Sequence, residues 1–232
     1  MSHVPRLTER YDRLVELVFR NDPALAKFRV YGAYNLNTAF TAANQMFDVP
    51  NAGTYRSAGI RSRRLGHTQY HNRGLSRAIY DPEDFWSGGS TLPHDSDIAF
   101  LRVAGVDRSG TEHSQGPILA IPPPNFFTTP RPMLTVAGTA PNVAATSSGI
   151  PPAGALHFYT PRFFDYVAIR NKEAGGGTSI FLSFGRGLPE IEVPAGEVKD
   201  VYDAADNEIL IRGDSGTAAF DAQFALVNGE MG

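Results

Sequence analysis

Ala218-Ala219-Phe220-Asp221-Ala222-Gln223-Phe224-Ala225-Leu226 is the stretch that decides the fold class. Ala218, Phe220, Ala222, Phe224 and Leu226 fall on one side of an extended chain, and Asp221 and Gln223 on the other. That two-residue period is the pattern of a strand with one face buried. Upstream, Tyr166 to Arg170, Ser179 to Phe184, Glu190 to Val193, Val198 to Tyr202 and Glu208 to Arg212 read as further short strands, each bounded by Gly, Pro, Asp or Asn. Strands at intervals of about 8–12 residues with turn residues between them predict a β-sandwich or jelly roll.

The same texture extends toward the N-terminus. Phe28 to Tyr31, Gln45 to Val49, Ile98 to Val106 and Pro117 to Ile121 read as strands, punctuated by Gly32, Asn35-Leu36-Asn37 and Pro50-Asn51-Ala52-Gly53. Ile121-Pro122-Pro123-Pro124 followed by Pro130-Arg131-Pro132 reads as a stiff, extended connection. Leu7 to Phe19 differs. Leu7, Tyr11, Leu14, Val15 and Val18 recur at spacings of three and four, and Asn21-Asp22-Pro23 would stop a helix. The expected architecture is therefore all-β: two β-sandwich or jelly-roll-like modules with one short N-terminal helix. The expected boundaries are a helical arm at 1–26, a first module at 27–122, a Pro-rich linker at 123–132 and a second module at 133–232.

The chain has 232 residues and no cysteine, which excludes a disulfide framework, a thiolate metal site and a cysteine nucleophile. A formal charge of -3 argues against nucleic acid as a partner. Charged residues make up only 19%, below the usual quarter or so, as suits a surface covered by neighbours. Met1 to Asn21 lacks the apolar core of a secretory signal, and no apolar run approaches the ~20 residues of a membrane helix. No membrane partner is expected.

Several motifs invite chemistry. Gly213-Asp214-Ser215-Gly216 resembles the nucleophile segment of chymotrypsin-like serine proteases. Such enzymes need a histidine, a buried aspartate and a specificity pocket built after the serine; Gly216 to Gly232 read as one strand and a tail. A hairpin turn accounts for the same residues. Arg212-Gly213-Asp214 spells an integrin-binding tripeptide over the same turn. His67 and His71 have helical zinc-ligand spacing, but Gly66, Asn72 and Gly74 argue against a helix there. Gly175-Gly176-Gly177 precedes a strand, so it reads as a hairpin tip and not as a phosphate loop. Asp81, Glu83, Asp84, Asp95 and Asp97 lie in turn-like text beside prolines. No catalytic constellation, metal-ligand set or cofactor motif is complete, and a non-enzymatic chain without cofactor is expected.

Arg56, Arg61, Arg63, Arg64, Arg73 and Arg77 occur with no acidic residue between Asn51 and Tyr80. Three uses are open: pairing with Asp81–Asp84, an interface with an acidic neighbouring subunit, or contact with DNA. The interface reading makes these arginines contact candidates, together with Leu7, Tyr11, Leu14 and Val18 of the apolar N-terminal stripe.

Two resemblances add to this. Phe100, Val103, Val106-Asp107, Ser109-Gly110, Ser114 and Gly116-Pro117 resemble the last two strands of a fibronectin type III module, over about twenty residues. Val167-Ala168-Ile169-Arg170-Asn171, Thr178 to Gly185, Val193 to Glu197 and Glu208 to Gly213 resemble the β-domains of tailed-bacteriophage structural proteins. The second resemblance implies a virion subunit: a capsid decoration or cement protein, or a head-to-tail connector or tail subunit. Such a subunit is assembled in the host cytoplasm, is homo-oligomeric, and has capsid, portal or tail proteins as partners. The alternative is a carbohydrate-binding module or adhesin, with Tyr55, Tyr70, Tyr80, Phe85 and Trp86 as its aromatic platform.

Overall fold

A computed structural model describes residues 5–11, 14–56, 74–80, 99–122, 132–145, 154–185 and 189–227. The chain divides into two compact units: residues 1–34 with 39–125, and residues 35–38 with 126–232. Both are built from strands, so the all-β expectation is met.

Unit 1 has two sets of paired strands. In the first, β1 (Arg6–Tyr11) and β2 (Leu14–Arg20) form an antiparallel hairpin, β2 pairs with β6 (Leu75–Tyr80), and β5 (Thr54–Arg56) lies parallel to β6. In the second, β3 (Leu25–Ala33) lies between β4 (Gln45–Pro50) and β7 (Ala99–Asp107), and β7 pairs with β8 (Ile118–Ile121). The two sets face each other across an aromatic core. The Phe19 ring stacks on Phe28 at 5.1 Å, and Tyr80 meets Phe47 at 4.9 Å.

The expected N-terminal helix is absent, because Leu7 to Phe19 forms β1 and β2. Leu14, Val15 and Val18 satisfy a helical spacing, but Val15, Leu17 and Phe19 also satisfy a two-residue period, and all three are buried. A helix of about twelve residues is marginal without tertiary support. Pairing with β6 supplies a full ladder of hydrogen bonds from Val15 to Arg20 and seals those three side chains into the core. Residues 6–20 are thus part of unit 1's sheet structure and not a separate arm.

The strand pair over 97–117 can be followed from Ala99 onward. Asp107 Oδ1 accepts hydrogen bonds from the Ser109 and Thr111 amides and from Ser109 Oγ. Gly110 adopts φ of 88°, a conformation that favours glycine. The returning chain pairs back on β7 through His113 N to Gly105 O and Gly116 N to Val103 O.

Unit 2 is a single antiparallel sheet in the order β12, β11, β13, β10, β14, β9. Its strands are β9 (Met133–Ala140), β10 (Leu156–Asn171), β11 (Ile180–Phe184), β12 (Ile191–Val193), β13 (Val198–Gly213) and β14 (Ala218–Leu226). The alternation in β14 is realised: Ala218, Phe220, Ala222, Phe224 and Leu226 are buried. The two 16-residue strands, β10 and β13, do not run straight. Their register breaks between Tyr159 and Phe164 and again before Tyr166. The geometry shows why. Phe224 pairs with Val167, nine residues along β10 from Phe158, which is about 30 Å on a straight strand. Yet the Phe158 and Phe224 rings are 6.0 Å apart, so the sheet doubles over its own core at the break. Phe164 sits in the fold and touches both Phe224 and Phe184. Residues 35–38 complete this unit: the Asn37 side chain donates to Thr139 O and accepts from Thr139 N, as a neighbouring strand would.

Candidate functional site

The turn that carries Arg212-Gly213-Asp214-Ser215-Gly216 joins β13 to β14. Arg212 points inward and is 4% exposed. Its Nε donates to Glu190 Oε1 at 2.8 Å, Nη2 reaches Glu190 Oε2, and Nη1 donates to Val143 O. The guanidinium lies over the Phe181 ring at 4.3 Å. This carboxylate fork holds the Arg212 pKa above its ordinary value, against the opposing effect of burial. An integrin-binding tripeptide must present its arginine to solvent; this one does not. Ser215 Oγ donates to Asp214 Oδ1 of the same exposed turn. Gly213 is required by space: a Cβ there would lie 2.2 Å from Gly216 O. The motif is a structural turn with its arginine anchored in the unit.

Of the six arginines in the basic stretch, Arg61, Arg63, Arg64 and Arg73 lie outside the described residues, and Arg56 is described only as part of β5. Arg77 is on β6. Its Nε lies 2.8 Å from Glu16 Oε1 on β2, and both side chains are nearly buried. Its charge is engaged within the unit, by a carboxylate outside the Asp81–Asp84 cluster. Among the N-terminal candidates, Leu14 and Val18 are half-buried on β2, while Leu7 and Tyr11 belong to β1.

Two residues of the expected aromatic platform can be placed. Tyr80 is 1% exposed, and Tyr55 stacks flat on Phe47 at 4.1 Å. Tyr70, Phe85 and Trp86 lie outside the described residues, as do His67, His71, Asp81, Glu83, Asp84, Asp95 and Asp97. Gly175-Gly176-Gly177 lies in the turn between β10 and β11, with φ of 84° at Gly176. Among the described residues, no group of three or more His, Cys, Asp or Glu side chains is placed to hold a metal, and no helix is long and apolar enough to cross a membrane.

Among the described residues, a network of charged groups lies along β3. Lys27, Arg29 and Tyr31 share one face, with Asp48 opposite Arg29 on β4. Arg29 bridges Asp48 at 3.0 Å and Glu112 at 2.9 Å, and Lys27 also reaches Asp48. The Tyr31 hydroxyl donates to Glu112, and burial together with that carboxylate pushes its pKa up to about 12. Burial alone would raise the Asp48 carboxyl, but hydrogen bonds from Arg29 and Lys27 outweigh it and hold the group low. Next to Tyr31, Arg102 on β7 lies under the Phe40 ring at 5.3 Å, and desolvation lowers its pKa. The cation–π contact offsets part of that burial. These groups are arranged to satisfy one another and to tie β3, β4 and the 107–113 turn together.

A different feature was not anticipated from the sequence. On unit 2, Tyr202 is 69% exposed and Val198 56% exposed, both on β13. Tyr202 lies beside Tyr166 of β10, with ring centroids 5.1 Å apart. The Tyr166 hydroxyl donates to Asp200 Oδ1, which raises its pKa. Val198 to Tyr202 alternates as a strand, and that was legible. Which of its faces has the core behind it depends on β10 and was not.

No family model matches the sequence, and no curated protein matches it. Among solved structures, the chain is similar to an HTH_3 family transcriptional regulator from Vibrio cholerae, with 12% identity and a TM-score of 0.20. That likeness covers 58% of this chain and 47% of the regulator's, so the chain spans about half the length of the structure it matches. At that TM-score the likeness carries no argument about fold or function.

Proposed function

We propose that this chain is a non-enzymatic structural subunit that packs against other subunits of a phage virion, as a capsid decoration or cement protein or as a connector or tail subunit. The observation that carries the reading is the distribution of exposed apolar side chains. Among the described residues, the exposed large hydrophobics are Met133, Phe163, Val198, Tyr202 and Val227, and all five belong to unit 2. Scattered apolar residues are normal on a surface, but their concentration on one module marks a contact surface. Two motifs that suggested other activities fit the same reading: Arg212 is anchored by Glu190, and the Ser215 hydroxyl donates to Asp214 within an exposed turn. The phage assignment itself rests on the resemblance of the β10–β13 sequences to tailed-phage β-domains.

The test is the protein inventory of purified virions from a phage that encodes this chain. Peptide mass spectrometry finds the chain in stoichiometric amounts, and a particle reconstruction places it against capsid or tail subunits. Absence of the chain from mature particles would overturn the proposal.

A further inference from the structure

The charges of β3 are satisfied by carboxylates, and Arg102 of β7 stands outside that pairing. Its partner across the sheet is Tyr31, and the Phe40 ring lies 5.3 Å from its guanidinium. On the other side of β7 the returning chain runs alongside, with Gly116 N donating to Val103 O and Gln115 Nε2 donating to Phe40 O. None of these neighbours is an anion, since Tyr31 keeps its proton up to about pH 12. The Arg102 side chain is half-buried, and its Nε is sealed from solvent with no hydrogen-bond partner among the described residues. Burial pushes its pKa down, and no carboxylate opposes that effect.

The carboxylates of this region are engaged elsewhere. Glu112 accepts from Arg29 Nη1 and holds the Tyr31 hydroxyl at 2.7 and 2.6 Å from its two oxygens. Asp48 is taken by Lys27 and Arg29, and Asp107 by the amides of its own turn. A guanidinium drawn partly out of water without a counterion is costly, and an aromatic ring offsets only part of that cost. Arg212 shows what completes such a group. It lies over a ring in the same way, 4.3 Å from Phe181, and the Glu190 carboxylate closes its fork. Arg102 has the ring and lacks the carboxylate.

We infer that Arg102, backed by Phe40, is a binding site for a carboxylate from outside the chain, which takes the place that Glu190 holds at Arg212. The guanidinium charge is delocalised over its three nitrogens, so a carboxylate on the Nη groups compensates the sealed Nε as well. Charge selects a monoanion. One unmatched cation is neutralised by one carboxylate, whereas a phosphate dianion or a nucleic-acid backbone would bring excess negative charge beside Tyr31, where Glu112 already sits. Such a site is independent of the virion reading and serves equally for the acidic side chain of a partner protein or for a small free acid.

Urea unfolding of the full chain at neutral pH, in sodium acetate against sodium chloride of equal concentration, tests it. About 100 mM acetate raises the wild-type folding constant about tenfold over chloride, as a ligand does at roughly ten times its Kd. Arg102→Met keeps the stem against Phe40 and loses that difference. Arg102→Lys keeps the charge without the fork and shows a weaker response. Arg108→Met, on an exposed turn, responds as wild type does. The Nε–H NMR signal of Arg102, assigned by its loss in Arg102→Met, moves saturably as acetate is added. An acetate effect equal in wild type and both Arg102 variants, or an Nε–H signal that does not move, overturns the inference. So does a response to inorganic phosphate stronger than that to acetate, which would make the site one for phosphate. N-acetylglutamate α-amide, a blocked glutamyl side chain, distinguishes the sources. Tighter binding than acetate marks a partner protein's acidic residue, and its exclusion while acetate binds marks a small free acid; both sustain the carboxylate assignment.

Discussion

Asn171, at the end of β10, is a fully buried polar side chain whose replacement has a calculable consequence. Its Nδ2 donates to Thr178 O at 2.9 Å and Val193 O at 3.0 Å, and its Oδ1 accepts from the Glu173 amide at 3.1 Å. One amide therefore joins β10, the turn to β11 and β12. Asn171→Ala leaves two carbonyls and one N–H without this partner in the interior, and opens a small void. At roughly 1–3 kcal/mol for each unsatisfied group, partly relieved by water, the total is about 3–5 kcal/mol. For a unit of this size that lowers the melting temperature by about 15 °C or more. Asn171→Asp is the sharper probe, because it keeps the shape and changes only the donors. A carboxylate facing two carbonyls is destabilised, so its folded pKa lies above the unfolded value of about 3.9. The folded state then binds the proton more tightly, and stability rises as pH falls from the folded pKa toward about 4. Urea titrations followed by circular dichroism at several pH values measure both effects. An Asn171→Ala variant within about 1 kcal/mol of wild type, or an Asn171→Asp variant with no gain on acidification, would refute the reasoning.

Three further outcomes follow from the same structure. Ser215→Ala changes stability by less than about 0.5 kcal/mol, whereas Gly213→Ala forces a Cβ against Gly216 O and costs about 2–4 kcal/mol; chemical denaturation separates them, and equal effects would contradict the turn geometry. Glu16→Gln removes the charge that Arg77 Nε faces at 2.8 Å and lowers unit 1 stability by about 3 kcal/mol, read by thermal unfolding; a neutral result would mean that this pair contributes no net stability. Asp48 and Asp107 both have pKa values below the ordinary 3.8, so each contributes stability that is fully present above that value and is lost as pH falls through the lower folded value. Hydrogen exchange in β3, β4 and the 107–111 turn therefore stays at its neutral-pH protection down to about pH 4 and rises only below it, and loss of protection at pH 5 to 6 would implicate other groups.

The sequence alone determined the class of structure and the places where strands end. Ala218 to Leu226 can bury its two phenylalanines only by alternating, and Asp107-Arg108-Ser109-Gly110 can turn only where an aspartate caps the amides and a glycine accepts positive φ. Those constraints are local, so they can be read from neighbouring residues. The tertiary structure decided the rest. Leu14 to Phe19 fits two periods, and pairing with β1 on one side and β6 on the other selected the strand. Arg77 read as one of six arginines with three uses open until β2 brought Glu16 to it, and Arg212 looked displayed until Glu190, twenty-two residues away, was folded against it. Tyr166 and Tyr202 read as ordinary strand residues. That they meet on an exposed face follows from the register of β10 on β13, which the doubling of the sheet at Phe164 sets. Alternation tells which residues share a face, but which face meets water is a property of the partners that long-range pairing supplies.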